Sequence, residues 1–228
     1  MTEGEWLACT DPTEMMYVSG EQGRLTERRD RYFSCACCRR IWHLLPDEAS
    51  RTAVRVAEQY LDGLASVELL DTASRAAEMH GGSAANAAAS AAFPTRELGN
   101  NGIDVAAHAA DAVVYADPRF IPGGADRDSA VRAGLAERSA QADLLRDIFG
   151  NPFRPVPRVD PTVLTWNAGT VVQLAQAIYE DRAFDRLPIL ADALEEAGCS
   201  DQNILVHCRS EGPHVRGCWV VDLLLGKT

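Results

Sequence analysis

The segment from Cys199 to Cys218 has the highest density of groups that could do chemistry, with three cysteines and two histidines in 20 residues. Thiolates and imidazoles are the ligands that Zn²⁺ prefers, usually four of them in a tetrahedron. The segment has no CxxC pair, and adjacent His207 and Cys208 would point in different directions on a helix. If a metal binds, the sequence favours Cys199, Cys208, His214 and Cys218, with His207 as the alternative to Cys208. The favoured interpretation is that these cysteines are small core side chains, so no cofactor is predicted and zinc is the alternative.

The loop before the apolar end of the chain is a second candidate site. Its Gly-Pro turn brings His214 and Arg216 to the start of the expected final helix, with Arg209 before the turn. Helix N-termini attract anions, and cationic side chains strengthen that attraction. These three residues are therefore candidates for binding a phosphate, a carboxylate or an acidic partner, and His214 and Arg216 are candidates for catalysis. The alternative is that Arg216 forms a salt bridge with an acid such as Glu195 or Glu196.

A third group of polar residues lies at helical spacing in the middle of the chain. Asp104, His108 and Asp111 stand at i, i+4 and i+7, so they share one face of a helix. Two carboxylates beside an imidazole could orient it as a general base or hold a divalent metal. Such a row is more often a solvated helix face, and no Glu-x-x-His partner helix is present. The chain also lacks the Walker, GxSxG, HExxH and kinase motifs, so no reaction is indicated.

Helical periodicity runs through almost the whole chain and predicts an all-α fold, a multi-helix bundle of about eight to ten helices. The predicted helices cover 26–45, 48–61, 66–80, 83–92, 103–116, 126–149, 168–182, 187–197, 202–208 and 217–225, with a loop at 117–124. Asp47 and Ser66 are expected N-caps.

The prolines after residue 150 predict how the chain is divided. Three prolines at 151–157 are incompatible with a helix interior and favour extended chain. We therefore expect an N-terminal helical bundle at 1–150, a proline-rich strap or linker at 151–161 and a smaller C-terminal helical segment at 162–228. One continuous domain is the alternative, because the strap could also cross the helices.

The charge of the chain excludes some classes of partner. Thirty-three acidic and 22 basic residues give a net charge of −11, and Lys227 is the only lysine. Binding of nucleic acid or of an anionic membrane surface needs a basic surface, so neither is expected. The sequence contains no signal-peptide pattern and no stretch as apolar and long as a membrane span. Together with an odd number of cysteines, seven, this predicts a cytoplasmic protein with reduced thiols.

Two blocks of the sequence resemble segments of other proteins. The N-terminal block has EWL at 5–7, TDP at 10–12 and CCRRIWH at 37–43. The C-terminal block has LPILADALEEAGC at 187–199, HCR at 207–209 and GPHVRGCWVVDLLLGK at 212–227. These blocks resemble an uncharacterised protein family expanded in planctomycetes and related GC-rich bacteria. The resemblance implies a bacterial origin and brings no activity, cofactor or catalytic residue.

The lack of a catalytic motif and the abundance of small residues favour a protein that functions by binding to other proteins rather than by catalysis. The last apolar stretch, 219–225, is apolar nearly all round, so it must be buried in the core or against a partner. We therefore expect a helical module for protein–protein interaction or self-association. The alternative is an enzyme or a small anionic ligand-binding protein that uses the loop with His214 and Arg216.

Overall fold

Helices make up most of the described chain. The computed structural model describes residues 1–94, 99–116 and 127–227. In these ranges the chain forms twelve α-helices and no β-strand, which confirms the predicted all-α fold. The helices are α1 (Glu3–Ala8), α2 (Pro12–Glu21), α3 (Glu27–Arg40), α4 (Glu48–Leu61), α5 (Val67–Glu78), α6 (Ser83–Ala91), α7 (Asn100–Ala116), α8 (Arg127–Phe149), α9 (Pro161–Asp181), α10 (Leu187–Glu196), α11 (Gln202–Cys208) and α12 (Trp219–Leu224). None of the described helices is both long and apolar enough to cross a membrane. The predicted loop at 117–124 lies outside the described residues.

Polar caps fix where the helices begin. The Asp47 carboxylate accepts the Ser50 N–H at 2.8 Å, and the Ser66 hydroxyl accepts the Leu69 N–H at 3.3 Å, as the sequence predicts for α4 and α5. The helices α1 and α2 are absent from the sequence-based assignment. Each has a clear start signal, because Thr2 opens a capping box before α1 and an Asp-Pro pair opens α2.

Two helices differ from their predicted limits because the backbone leaves helical geometry. α3 ends at Arg40, and a 3-10 turn at Trp42–Leu44 takes the place of its predicted last turn. α9 begins earlier than predicted, at Pro161, and kinks at 166–169. Asn167 and Ala168 have positive φ values of 46° and 58° there, conformations that L-residues rarely adopt. The predicted start at 168 falls within this kink.

The apolar side chains form two clusters on either side of the proline-rich segment. The first cluster joins helices α1 to α8 and includes Trp6, Phe33 and Ile148. The second joins α9 to α12 and includes Leu190 and Ile204. Residues 155–160 between the clusters form no helix. The division into the predicted segments stays a prediction.

Polar contacts link the two clusters. The Arg28 guanidinium pairs with the Asp222 carboxylate at 2.8 Å, and the hydroxyl groups of Tyr32 and Tyr179 lie 2.6 Å apart. Gly217 packs directly on this contact with φ at +90°, and a Cβ there would lie 2.7 Å from the Tyr32 Cβ. The loop before α12 therefore approaches α3 as closely as it does because residue 217 has no side chain.

The chain end belongs to the second cluster. Val220, Val221 and Leu224 are buried there, which accounts for an apolar stretch that a partner could otherwise have covered. Lys227 is half-buried, and its ammonium group lies 4.4 Å from the centre of the Tyr179 ring. At this distance the charge and the ring attract each other.

Candidate metal centre

Four side chains with metal-ligating atoms converge where the C-terminal helices meet α8. Asp147 comes from the last turn of α8, His207 from α11, His214 from the loop after α11, and Cys218 is the residue that caps α12. One ligand atom from each of these residues lies within 4.8 Å of the other three. Asp147 and Cys218 are buried, and the two histidines are largely shielded from solvent. We call these four residues the DHHC cluster.

Asp147 is the centre of the cluster. Its Oδ1 lies 2.7 Å from His214 Nδ1 and 3.2 Å from His207 Nε2. Its Oδ2 accepts the backbone N–H of Val215 at 2.9 Å. Burial alone would raise the pKa of this carboxyl, but the hydrogen bonds from the two histidines outweigh it, so the pKa is lowered. Asp147 is therefore held as a carboxylate, with one oxygen fixed by the backbone and the other directed at the imidazoles.

His214 has acceptors on both sides of its ring. Nδ1 faces Asp147, and Nε2 lies 3.2 Å from the carbonyl oxygen of Ser210 and 3.3 Å from its hydroxyl. Burial lowers the pKa of this imidazole, but the hydrogen bond and charge of Asp147 raise it by more, and the net shift is upward. Without a metal, Asp147 and His214 thus form a buried pair in which the carboxylate favours the protonated form of the imidazole.

The tautomer of His207 follows from its neighbour Trp219. The indole Nε1 of Trp219 lies 3.1 Å from His207 Nδ1, and an indole N–H can only donate. His207 Nδ1 is therefore the acceptor, and neutral His207 carries its proton on Nε2. That nitrogen faces Asp147 and lies 3.2 Å from the sulfur of Cys218.

Cys218 is a thiol rather than a thiolate while no cation is nearby. Burial raises its pKa well above the ordinary value, and the charge of Asp147 adds to this. The backbone N–H groups of Val221 and Val220, at the start of α12, act in the opposite direction but do not outweigh burial. A free nucleophile at this position is disfavoured, whereas a metal cation would stabilise the thiolate directly.

The donor set fits Zn²⁺ in type and charge. Two imidazoles, a thiolate and a carboxylate are all zinc ligands, and the two anions would neutralise the charge of the ion. Bond lengths of about 2.0–2.3 Å in a tetrahedron place ligand atoms about 3.3–3.8 Å apart. The spread of up to 4.8 Å in the cluster therefore requires shifts on the order of 1 Å.

The surroundings of the cluster favour metal binding by one of the two histidines and oppose it for the other. Metal-bound histidines usually donate their other N–H to a carbonyl or a carboxylate. The Ser210 carbonyl is in position to accept that hydrogen bond from His214 Nε2. His207 is different, because a metal on Nε2 would require a proton on Nδ1, where the indole N–H of Trp219 now points. Binding through His207 therefore requires this hydrogen bond to break.

The cluster contains only part of the predicted metal set. His214 and Cys218 belong to it, whereas Cys199 and Cys208 do not. Cys208 points into the second apolar cluster, and Cys199 packs half-buried against it. His207 and Cys208 point in different directions, as expected. Of the two side chains, the imidazole of His207 faces the other ligands. Asp147 is absent from the sequence-based set, although an acid on the inward side of α8 was a signal available in the sequence.

The predicted anion-binding residues each have an acidic partner within the chain. Arg209 pairs with Glu195 at 2.6 Å and with Asp192 at 2.8 Å. Arg216 pairs with Asp62 at 2.8 Å, so its acid comes from the end of α4 and not from Glu195 or Glu196. With His214 on Asp147, these three side chains pair with four different carboxylates, and no carboxylate is shared between them.

The polar row on α7 remains a separate surface feature. Asp104 and Asp111 are exposed, and His108 is half-buried. None of the three joins the DHHC cluster.

The fold and the site together define an all-α protein with an Asp/His/His/Cys cluster that could hold a metal ion. Comparison with protein-family models, with curated proteins and with solved structures gives no match in any of the three. The resemblance to a planctomycete family therefore stays a prediction from the sequence.

Proposed function

We propose that this chain binds one Zn²⁺ ion through Asp147, His207, His214 and Cys218. The observation that carries the proposal is the convergence of four zinc-type ligands, from separate elements, on one shielded point. The contacts from Val215 to Asp147 and from His214 to Ser210 add support, because they orient ligands in the way that outer-shell contacts do in metal sites.

The proposed role of the ion is structural. Four protein ligands complete a tetrahedron and leave no position for substrate, which is typical of structural rather than catalytic zinc. Asp147 belongs to the N-terminal helices and the other three ligands to the C-terminal part, so a bound ion would join the two. Metal binding of this kind contributes directly to folding free energy.

The test is the metal content of the chain purified without an affinity metal, measured by elemental analysis and native mass spectrometry. We expect one zinc ion per chain in the wild-type protein and in Cys199→Ser, which changes a half-buried cysteine outside the cluster. Cys218→Ser and His214→Gln should each lose the ion. Because Cys218 is fully buried, circular dichroism of each variant checks that the helices form. Wild-type protein without zinc, or equal loss in Cys199→Ser, would contradict the proposal.

Two spectroscopic readouts identify the ligands. Co²⁺ in the site should give a thiolate-to-metal charge-transfer band that disappears in Cys218→Ser. Trp219 fluorescence should change on metal binding, since the indole must release His207 Nδ1. A metal that binds with neither change lies elsewhere in the molecule.

Binding of a protein partner or of a second copy of the chain stays a prediction from the sequence. Its main support, the apolar chain end, is part of the second cluster. Light scattering over a range of concentrations tests self-association separately from metal binding.

A further inference from the structure

A cavity of about 370 Å³ lies between the two groups of helices, near the DHHC cluster but built mainly by other residues. Its walls come from α1, from α3 and Arg24 before it, from the end of α8, the segment 150–157, α11 and α12. Aromatic and apolar side chains form much of this lining, among them Trp6, Phe149, Pro155 and Leu223. Cavities that bind small molecules are of about this size, 300–1,000 Å³, and of this character.

Three large apolar side chains on the cavity wall remain exposed to solvent. Leu7 is 56% exposed, Val156 46% and Val206 62%. They belong to three different elements, so exposed apolar surface from separate parts of the chain meets at this cavity. An apolar body in the cavity would cover this surface and gain the free energy of its burial.

Two arginines that line the cavity are bound by backbone carbonyls rather than by ion pairs. Arg29 donates to the carbonyl oxygen of Arg24 at 3.0 Å, and Arg24 donates to the carbonyl oxygen of Arg154. Neither forms an ion pair with a carboxylate in the described parts of the chain, whereas Arg146 and Arg154, which also line the cavity, both do. Burial lowers the pKa of Arg24 and of Arg29, and repulsion from Arg24 lowers that of Arg29 further, while the charge of Asp222 acts in the opposite direction without outweighing them.

This pair is unusual in a chain with a net charge of −11. Both guanidinium groups are half-buried and bound by backbone carbonyls, and the charge of Asp222 reaches Arg29 without an ion pair between them in the described residues. Guanidinium groups bind carboxylates and phosphates through paired N–H donors, so an anion would satisfy both arginines.

We infer that this cavity binds an amphipathic organic anion, with its carboxylate or phosphate on Arg24 and Arg29 and its apolar body against the exposed side chains of Leu7, Val156 and Val206. The inference does not depend on the metal, because no DHHC ligand holds the anion. His207 and Trp219 line the cavity as well, but the proposed anion contacts are made by Arg24 and Arg29.

The test is isothermal titration of the full chain with decanoate, with decanol and with inorganic phosphate. Decanoate combines both features, decanol lacks the charge, and phosphate lacks the apolar body. We expect decanoate to bind more tightly than either of the other two. Loss of one charge-assisted contact in Arg29→Gln or Arg24→Gln should weaken decanoate binding about ten- to hundredfold.

Arg158→Gln is the matched control, because Arg158 is exposed, outside the cavity wall and likewise without an ion pair in the described residues. It removes the same charge from the chain and should leave decanoate binding unchanged. Equal binding of decanol and decanoate, or equal weakening in Arg158→Gln, would overturn the inference, as would a complete lack of decanoate binding. The comparison of decanoate with decanol uses wild-type protein, so it holds even if an arginine variant fails to fold.

Discussion

Replacing Asp147 by asparagine should destabilise the metal-free protein strongly, because the carboxylate is buried and accepts three hydrogen bonds. In Asp147→Asn the amide oxygen can still accept the Val215 N–H, but the amide NH₂ then faces two imidazoles. Two charge-assisted bonds of about 2 kcal/mol each give way to one neutral bond of about 1 kcal/mol, so we expect unfolding to become easier by about 3 kcal/mol. For a chain of this size that corresponds to about 6–12 °C in Tm.

The assay is urea unfolding followed by far-UV circular dichroism, in the presence of a chelator. Asp143→Asn is the control, since Asp143 lies one turn earlier on α8, has a half-exposed side chain and, among the described residues, forms an ion pair with Arg146 alone. Exposed pairs contribute about 0–1 kcal/mol, so this control should be nearly neutral. If both variants cost the same, the buried carboxylate does not hold the loop and helices of the cluster in the way described.

The pH dependence gives an independent check of the same pair. Because Asp147 raises the pKa of His214, their interaction stabilises the folded state below the ordinary histidine pKa of about 6.5, and this contribution is lost as pH rises through the raised value. Wild-type protein in chelator should therefore lose stability as pH rises above about 6.5, and Asp147→Asn should lose that slope. A slope that persists in the variant would assign it to other groups.

Three more perturbations probe other parts of the structure. Glu58→Gln should lower the free energy of unfolding by about 2 kcal/mol at neutral pH. Two arginines lower the pKa of Glu58 against the effect of burial. The difference in stability between wild type and variant should therefore shrink as pH falls below about 4.3, which acid unfolding measures. Gly217→Ala should cost about 3 kcal/mol in urea unfolding from backbone strain and the approach to Tyr32, whereas Gly198→Ala, with a similar φ of +91° and open space, should show the strain alone. Trp219→Phe removes the indole N–H that competes with zinc and should tighten zinc binding about fivefold in competition with a chromophoric chelator; unchanged affinity would show that His207 does not bind the ion through Nε2.

Local sequence signals predicted the helices well and the cluster only in part. Caps such as Asp47 and Ser66 act within a few residues, so α4 follows its predicted limits and α5 lies within one or two residues of them. The kink in α9 depends on left-handed residues at 167 and 168. Asparagine adopts this conformation occasionally, but alanine rarely does, so the alanine gave no local signal of the kink.

The cluster shows why spacing alone was insufficient. His214 and Cys218 belong to one short loop, and their proximity could be predicted from the sequence. Asp147 precedes His207 by 60 residues, and only the packing of α8 against the chain end brings the two together. The sequence predicted that the side chains of residues 207 and 208 point in different directions. Which of them faces the other ligands depends on the position of the second apolar cluster, where Cys208 is buried.

The single lysine gives the protein a natural reporter at its C-terminal end. Lys227 is the only side-chain amine in the chain, and it is half-buried against the ring of Tyr179 on α9. Acylation of that amine should be faster when the side chain leaves the ring, so its rate should follow the opening of the segment after α12 rather than unfolding of the whole molecule. A peptide map after brief labelling would thus measure local opening at one known residue, without introducing a mutation or a dye.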